Sequence, residues 1–441
     1  MKNNRLPLFD QERLGLYLGL TILPFNPILG ILPLLYAFLS PWIRQFKTLA
    51  AAPTAKGWGL LAIWLIFTTL IAQDKGEAAL GLANFLPYFA LFIAFSQIIR
   101  RFSHLERLAW LLTASGVVLV IFGFGQIYGA WQSPGWLAAI GTNLVAGGRP
   151  EGRMSSLLMY ANLFSAWLLL IFPLSLGLLI QAIRGWDRTR VIAPPLVVWS
   201  LFAACALEAI ALGLTDSRSA WGLGLLVGLV YAVYLSWYWL VGLAGVITGI
   251  VLWASFGPFG KDPLRQIVPR ALWGRLSDEL YPDRYTTALR STQWNFSGQM
   301  FFDRPVTGWG LRNFTPLYKQ AMNVWLGHPH SLPLMLLAET GLVGTVLMLG
   351  LVGWILSRAV RLLITLGQFS QSPRRQAQYL LLMSYLVGFG ALCLYNLFDV
   401  TLFDLRNNLL SWSYLAAIAG VTDHCFASLN RLTLKTHPTA P

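Results

Sequence analysis

Charged residues are scarce in this sequence. Asp, Glu, Lys and Arg make up 11% of its 441 residues, whereas an ordinary soluble domain has roughly 25%. Apolar residues make up 56%, enough for about twelve membrane spans of about 20 residues each. This composition excludes a soluble multidomain enzyme, a disordered chain and a coiled coil. The long continuous apolar runs also argue against an outer-membrane barrel.

Cysteine and histidine are also scarce, and several catalytic motifs are absent. The three cysteines lie in or beside apolar runs without paired spacing, which predicts core residues rather than disulfides or a zinc site. The sequence has no GxxxxGK[ST], Asp-x-Asp, GxSxG or HExxH motif. A P-loop ATPase is therefore unsupported, and a metal-dependent nucleotide-sugar site is disfavoured. We expect no cofactor and no metal.

The apolar runs predict the fold class, an all-α integral membrane protein with about twelve segments. Prolines interrupt the first run, 14–43, at 23–27, which predicts a hairpin of two short helices. The remaining runs lie near 58–73, 77–98, 105–128, 156–181, 191–214, 218–236, 238–257, 331–357, 378–396 and 402–422.

The positive charge follows this topology. The net charge is +14, and basic residues concentrate in alternate connections: 1–13, 44–57, 99–108, 182–190 and 358–377. The positive-inside rule then predicts cytoplasmic N- and C-termini. It accounts for the charge without a nucleic-acid partner, and the N-terminal run is predicted to be a first membrane segment rather than a removed signal.

The segments divide the chain into four parts. Residues 1–257 hold segments 1–9, residues 258–330 form a large extracytoplasmic loop or lid, residues 331–422 hold segments 10–12, and residues 423–441 form a cytoplasmic tail. The loop interleaves arginines with aromatic residues, which argues for a folded or membrane-surface lid rather than disorder. Part of it, 285–300, is predicted to form interfacial helix.

The stretch TDSRSAW at 215–221 begins one predicted span. Its Ser, Thr and Asp suit a helix N-cap, and a helix N-terminus with an arginine favours phosphate. Arg218 is therefore a candidate anion-binding residue. The alternative is an interfacial arginine that snorkels to lipid headgroups.

Two of the five histidines, His328 and His330, lie at the mouth of another span. A histidine titrates near neutral pH and serves as a general base. The alternative is a capped helix start with a solvated histidine. A metal pair is disfavoured because no third ligand is adjacent in sequence.

Further ionisable residues are candidates by position. Loop arginines with aromatic neighbours suit phosphate or sugar rings, although most loop arginines are merely solvated. Charges inside spans usually face a cavity or a partner, and a structural Arg–carboxylate pair near the last outer turn is as well supported as a catalytic role. The residues are Arg284, Arg290, Arg304 and Arg312 in the loop, Glu208 and Glu339 inside spans, and Asp399, Asp404 and Arg406 at the last outer turn.

At these residues the sequence resembles the O-antigen ligase and polymerase superfamily of bacterial membrane glycosyltransferases. The resemblance covers residues 150–344 and the rest agrees only in hydropathy. The matching pieces are GRM at 152–154 with ANLFSA at 161–166, DSRSAW at 216–221, DRPVTGWGLRNF at 303–314, HPHS at 328–331 and LAETGLVG at 337–344.

The resemblance implies a GT-C-like fold in the bacterial inner membrane and a reaction at its extracytoplasmic face. An isoprenoid-diphosphate-linked glycan is the implied donor, and a hydroxyl of a glycan or lipid-linked acceptor attacks it, among membrane lipids and without nucleic acid. Carried over by motif, Arg218 stabilises the departing diphosphate and His330 is the base. The second implied cation is a loop arginine, Arg290, with Arg284 as the alternative. The implied substrate-binding residues are His328, Arg153, Arg312 and Glu339.

Two other functions are compatible with the sequence. One is a transporter, of bicarbonate or another small solute, and the break at 23–27 favours it because transporters place broken helices at their sites. The candidate groups, however, cluster at the outer ends of the sixth, eighth and tenth segments rather than at the midplane. The other is a non-catalytic scaffold for envelope assembly.

Overall fold

The computed structural model describes residues 8–185, 194–277, 279, 286–368 and 372–436. Within these residues the chain is helical and contains no strand, which confirms the predicted all-α membrane fold. The helices are α1 (Leu8–Ile22), α2 (Pro27–Ala51), α3 (Pro53–Leu70), α4 (Lys75–Leu82), α5 (Leu86–Ile98), α6 (Phe102–Tyr128), α7 (Gly135–Ala139), α8 (Ala161–Ile183), α9 (Pro195–Leu214), α10 (Arg218–Tyr234), α11 (Tyr238–Phe256), α12 (Lys261–Ile267), α13 (Arg270–Leu276), α14 (Arg290–Asp303), α15 (Phe314–Met322), α16 (Leu332–Gln368), α17 (Pro373–Tyr395) and α18 (Leu405–Thr436).

Eight helical stretches of the described chain are long and apolar enough to cross a membrane. The prediction of about twelve segments stays a prediction, since α10 is shorter and the remaining helices are less apolar. The eight are Pro27–Ala51, Lys75–Ile98, Phe102–Tyr128, Ala161–Ile183, Pro195–Leu214, Tyr238–Phe256, Leu332–Gln368 and Pro373–Tyr395.

The predicted hairpin at the N-terminus is present, with α1 packed along α2. Asn26 caps α2 by accepting the N–H of Leu29 at 2.9 Å, and Pro27 occupies the first turn, where its missing N–H costs nothing. The second helix runs to Ala51 and is longer than predicted. The run predicted at 77–98 is divided instead, because the chain turns between α4 and α5 just before Pro87.

Helix α8 lies at the centre of the bundle. Its side chains are buried almost all round, which is typical of a helix enclosed by others rather than one facing lipid. It packs against α17, α9, α6 and α10. Its first residues lie beside the last turn of α17. The loop between α17 and α18 lies at the same end of the bundle. This end is called the site end below.

In the segment 258–330, predicted as a lid, the described residues include the helices α12 to α15. Helices α12 and α13 pack against α11, whereas α14 packs against α16. A separate small core around Met300, Phe314 and Tyr318 also includes Ala338 of α16. The lid is thus folded, and its core is shared with a helix of the bundle.

Helix α16 is broken at Gly341, where φ is +66°. Residues 305–310 of the lid approach the break so closely that a Cβ at Gly341 would collide with the carbonyl oxygen of Val306. Across the break, the N–H of Leu342 donates to the carbonyl of Pro305 at 2.8 Å. Glycine is therefore required here both by conformation and by space.

Two more backbone hydrogen bonds hold the lid on the break. The N–H of Trp309 donates to Ala338 O at 3.0 Å, and that of Gly310 donates to Glu339 O at 2.8 Å. These carbonyls lose their helical partners at the break, so the lid satisfies groups that would otherwise be buried and unpaired.

We expect Gly341→Ala to lower the thermal midpoint of the purified protein. A strained backbone position costs roughly 1–3 kcal/mol, and the collision with Val306 adds to this. Gly350→Ala is the matched control on the same helix, because a Cβ there meets nothing within 4 Å and alanine favours a helix by up to ~1 kcal/mol. Equal midpoints for the two variants would contradict the docking described here.

Candidate functional site

The two candidate histidines lie in the short segment that leads from the lid into α16. His330 has a positive φ of +51°, and its N–H donates to Nδ1 of His328 at 3.2 Å. The two rings meet edge to face with centroids 4.5 Å apart, while His328 stacks on Phe403. The histidine pair is therefore held by local contacts, while both side chains remain partly exposed.

His330 is joined to Asp399, a residue of the connection between α17 and α18. Nδ1 of His330 lies 3.1 Å from Oδ1 of Asp399. The same carboxylate accepts the N–H of Val400 at 2.9 Å and Nδ2 of Asn162 at 2.7 Å. A buried carboxylate is costly unless it is hydrogen-bonded, and these three contacts supply that bonding.

Asn162 extends the network to an arginine. Its side-chain oxygen accepts a hydrogen bond from Arg153 at 2.7 Å, and Nε of Arg153 donates to the carbonyl of Thr215 at 2.8 Å. Arg153 thereby links the start of α8 with the turn that precedes α10. The network runs from His330 through Asp399 and Asn162 to Arg153, and it joins three of the predicted motifs.

Tyr395, in the last turn of α17, brings the stretch around Arg218 to the same place. Its hydroxyl lies 3.0 Å from Ser165 Oγ and 3.5 Å from Ser217 Oγ, and it donates to the carbonyl of Asn162 at 3.1 Å. Ser217 is the residue before α10. Arg218 is therefore held at the N-terminus of α10, next to the Asn162–Asp399 network.

Arg290 approaches the histidines from the lid. It is the first residue of α14, and Trp294 in the next turn donates from Nε1 to the carbonyl of Pro329 at 3.0 Å. The charge of Arg290 contributes to lowering the pKa of His328. The structure thus joins His330 and Arg153 through Asp399 and Asn162, and it places His328, Arg290 and the start of α10 beside this network.

The electrostatics of the site differ between its two best-defined groups. Burial, with a smaller contribution from the neighbouring His330, lowers the pKa of His328 to about 4, so His328 is neutral near pH 7. Burial alone would raise the pKa of Asp399. The hydrogen bond and charge of His330 outweigh this effect, and the pKa of Asp399 is lowered. The site therefore holds the ionised carboxylate of Asp399 and the neutral imidazole of His328.

This group also has the composition of a cation site. His328, His330 and Asp399 each offer a ligand atom, and these atoms lie within 4.8 Å of one another. Two imidazoles and a carboxylate suit zinc or a similar transition metal. The third ligand was missing from the sequence argument because Asp399 is distant in the chain.

Two predicted substrate-binding residues lie elsewhere. Arg312 pairs with Glu77 of α4 at 2.8 Å, and Glu339 accepts the N–H of Phe314 at 3.2 Å. Both contacts attach the lid to the bundle, and neither residue contacts His330. Arg284, one of the four loop arginines considered, lies outside the described residues.

Sequence reasoning gave no particular weight to three members of the site, Asp399, Asn162 and Tyr395. Asp399 and Arg406 flank the same predicted outer turn, which suggested an Arg–carboxylate pair. Arg406 instead donates to the backbone carbonyls of Leu157 and Gly141. The sequence offered one sign that Asp399 belongs to the site: it is a carboxylate beside the last outer turn, between two apolar helices.

The lowered pKa of His328 predicts a pH-dependent stability. Since the unfolded chain binds a proton near pH 6.5 and the folded chain only near pH 4, stability from His328 is complete above about pH 6.5 and is lost as the pH falls toward 4. At pH 5 the loss is about 1–2 kcal/mol. Thermal midpoints at pH 7 and pH 5 should therefore differ more for the native protein than for His328→Asn, and parallel pH profiles would count against this assignment.

Comparison with known families supports the resemblance. A sequence model of the family described as O-Antigen ligase matches residues 201–349, about a third of the chain. The matched range contains Arg218, Arg290, His328 and His330, whereas Arg153, Asn162, Tyr395 and Asp399 lie outside it. No curated protein matches the chain. This match confirms the resemblance to the O-antigen ligase and polymerase superfamily over residues 201–349.

Proposed function

We propose that this protein transfers a glycan from an isoprenoid-diphosphate carrier to an acceptor hydroxyl, at the extracytoplasmic face of the bacterial inner membrane. The family match and the helical membrane fold support a membrane glycosyltransferase-like role. The observation that carries the finer proposal is the contact of His330 with Asp399 at 3.1 Å, at the end of the bundle where Arg153 bonds to the same network and α10 and α14 begin with Arg218 and Arg290.

In this proposal His330 is the general base. Asp399 accepts a hydrogen bond from Nδ1–H, so the lone pair of Nε2 is available for the proton of the acceptor hydroxyl. The hydroxyl oxygen forms a bond to the anomeric carbon as the bond from that carbon to the diphosphate oxygen breaks. The electron pair leaves with the lipid diphosphate, and Asp399 stabilises the imidazolium that forms.

The arginines match the charge that develops on the leaving diphosphate. Arg218 lies at the N-terminus of α10 and Arg290 at the N-terminus of α14. Each combines a guanidinium with the positive end of a helix dipole, which is the arrangement that favours phosphate. Arg153 is already engaged by Asn162 and Thr215, so its role is to position the network.

An apolar cavity next to the site suits the lipid part of the donor. Its volume is about 330 Å³, and it lies among α5, α16, α17 and α18, with Leu332, Phe389 and Leu397 in its walls. Leu332 is two residues from His330. An isoprenoid chain in this cavity would bring its diphosphate to the arginines.

The same geometry argues against the transporter alternative. The break between α1 and α2 is closed by Asn26, which donates to Thr142 and to the carbonyl of Ile140. The candidate polar groups lie at helix ends rather than midway along them, whereas transporters bind near the bilayer midplane. No described contact joins the break to the His330 network.

We expect His330→Ala and Arg218→Ala to lower glycan transfer by at least about a hundredfold, because each removes a group that acts in the transition state. Asp399→Asn should lower it less and also alter its pH profile, since the amide no longer fixes the imidazole. Transfer is measured with purified protein in lipid and an isoprenoid-diphosphate-linked glycan. Arg270→Ala is the control, because this exposed arginine lies on α13, which packs against α11 rather than against the site. Normal product ladders from His330→Ala and Arg218→Ala would contradict the proposal.

The proposal is also metal-independent, although His328, His330 and Asp399 could ligate a cation. We expect transfer rates to be unchanged after chelation and dialysis, and added zinc to inhibit by occupying the base. A loss of activity on chelation that zinc restores would instead assign these three residues to a metal centre.

A further inference from the structure

The end of the bundle opposite the site contains a large basic cavity. Its volume is about 870 Å³, within the range of roughly 300–1,000 Å³ that is usual for small-molecule sites. It opens between the α5–α6 turn, the start of α17 and the last third of α18. Helix α17 separates it from the site, since a helix of 23 residues is about 34 Å long.

Three guanidinium groups line this cavity, from Arg100, Arg101 and Arg374. The carboxylate in the wall, Glu106, accepts a hydrogen bond from Gln181 at 3.2 Å. Within the described residues no ion pair joins the three arginines to a carboxylate. The cavity therefore has excess positive charge.

Arg100 shows that this charge is not simply solvated. It is partly buried and donates to the side-chain oxygen of Gln97, a neutral partner, and burial lowers its pKa. A cation withdrawn from water without a counter-charge is costly. An arginine that only sets the orientation of a membrane protein can stay in water. The positive-inside rule therefore does not explain why Arg100 is partly buried.

The cavity also has features suited to a phosphate and to a lipid chain. Two helices, α6 and α17, begin at its rim, and their positive ends add to the arginines. Along α17 the wall turns apolar, through Ala377 to Leu381. This succession of charge at the membrane surface and apolar residues below it matches a phospholipid rather than a soluble anion.

We propose that this cavity binds the phosphate headgroup of an anionic phospholipid, with the start of an acyl chain along Ala377 and Leu381. The lipid would belong to the leaflet opposite the candidate active site. Basic pockets between membrane helices are known to bind such headgroups. The proposal uses no residue of the transfer reaction, so it stands independently of the proposed function.

The test measures thermal midpoints of purified protein in detergent with added phosphatidylglycerol, phosphatidylcholine or inorganic phosphate. We expect a saturable rise with phosphatidylglycerol and none with phosphatidylcholine. The double variant Arg100→Gln/Arg374→Gln should need roughly twenty- to thirtyfold more phosphatidylglycerol, since each arginine near a lipid surface contributes about fivefold in affinity. Arg107→Gln, an exposed arginine at the same end but outside the cavity, is the matched control.

A second measurement does not depend on the arginine variants. Cys425 lines the cavity, Cys205 is buried and Cys393 is exposed, so Cys393→Ser leaves Cys425 as the accessible thiol. Phosphatidylglycerol should slow labelling of Cys425 by a thiol reagent at least about fivefold at tenfold excess over the dissociation constant. Equal protection by phosphatidylcholine, protection by inorganic phosphate alone, or an equal effect of Arg107→Gln would each overturn the proposal.

Discussion

The site depends on one buried carboxylate, that of Asp399. It lies between α17 and α18, and it bonds to two segments that are distant in the chain: His330 just before α16 and Asn162 at the start of α8. A buried carboxylate left without partners is strongly destabilising, so the ends of these helices are held to a narrow geometry. The positions of the imidazole and of Arg153 follow from that requirement.

The direction of the helices gives the site end its electrostatic character. Helices α8, α10, α14 and α16 all begin there. Their unpaired N–H groups give each N-terminus a partial positive charge, and Arg153, Arg218 and Arg290 add full charges at three of these places. An anion is favoured by the fold itself, before any single arginine is considered. This is why a diphosphate leaving group suits the site better than a neutral solute does.

The sequence was sufficient for the membrane class, the N-terminal hairpin and the motifs that supply Arg218 and His330, because these depend on hydropathy, proline and local spacing. It was insufficient for the partner of His330, because Asp399 is 69 residues away and the order in which helices pack is not written in their apolar runs. Glu339 shows the opposite case, in which two residues that are close in the sequence do not share a site. It lies near His330 in sequence, yet its carboxylate binds the lid at Phe314. Adjacency in the chain was a poor guide wherever a helix breaks.

The break in α16 connects the lid to the site mechanically. The same helix begins just after His330 and receives the lid at Gly341, while α14 of the lid carries Arg290 and is bonded through Trp294 to Pro329. Arg290 and His330 are thus fixed relative to each other by two attachments, one at Pro329 within the histidine segment and one at the break in α16. Donors that are already in place when charge develops cost no reorganisation. The folded lid is therefore part of the proposed catalytic apparatus, because it holds a cation that the bundle alone does not provide.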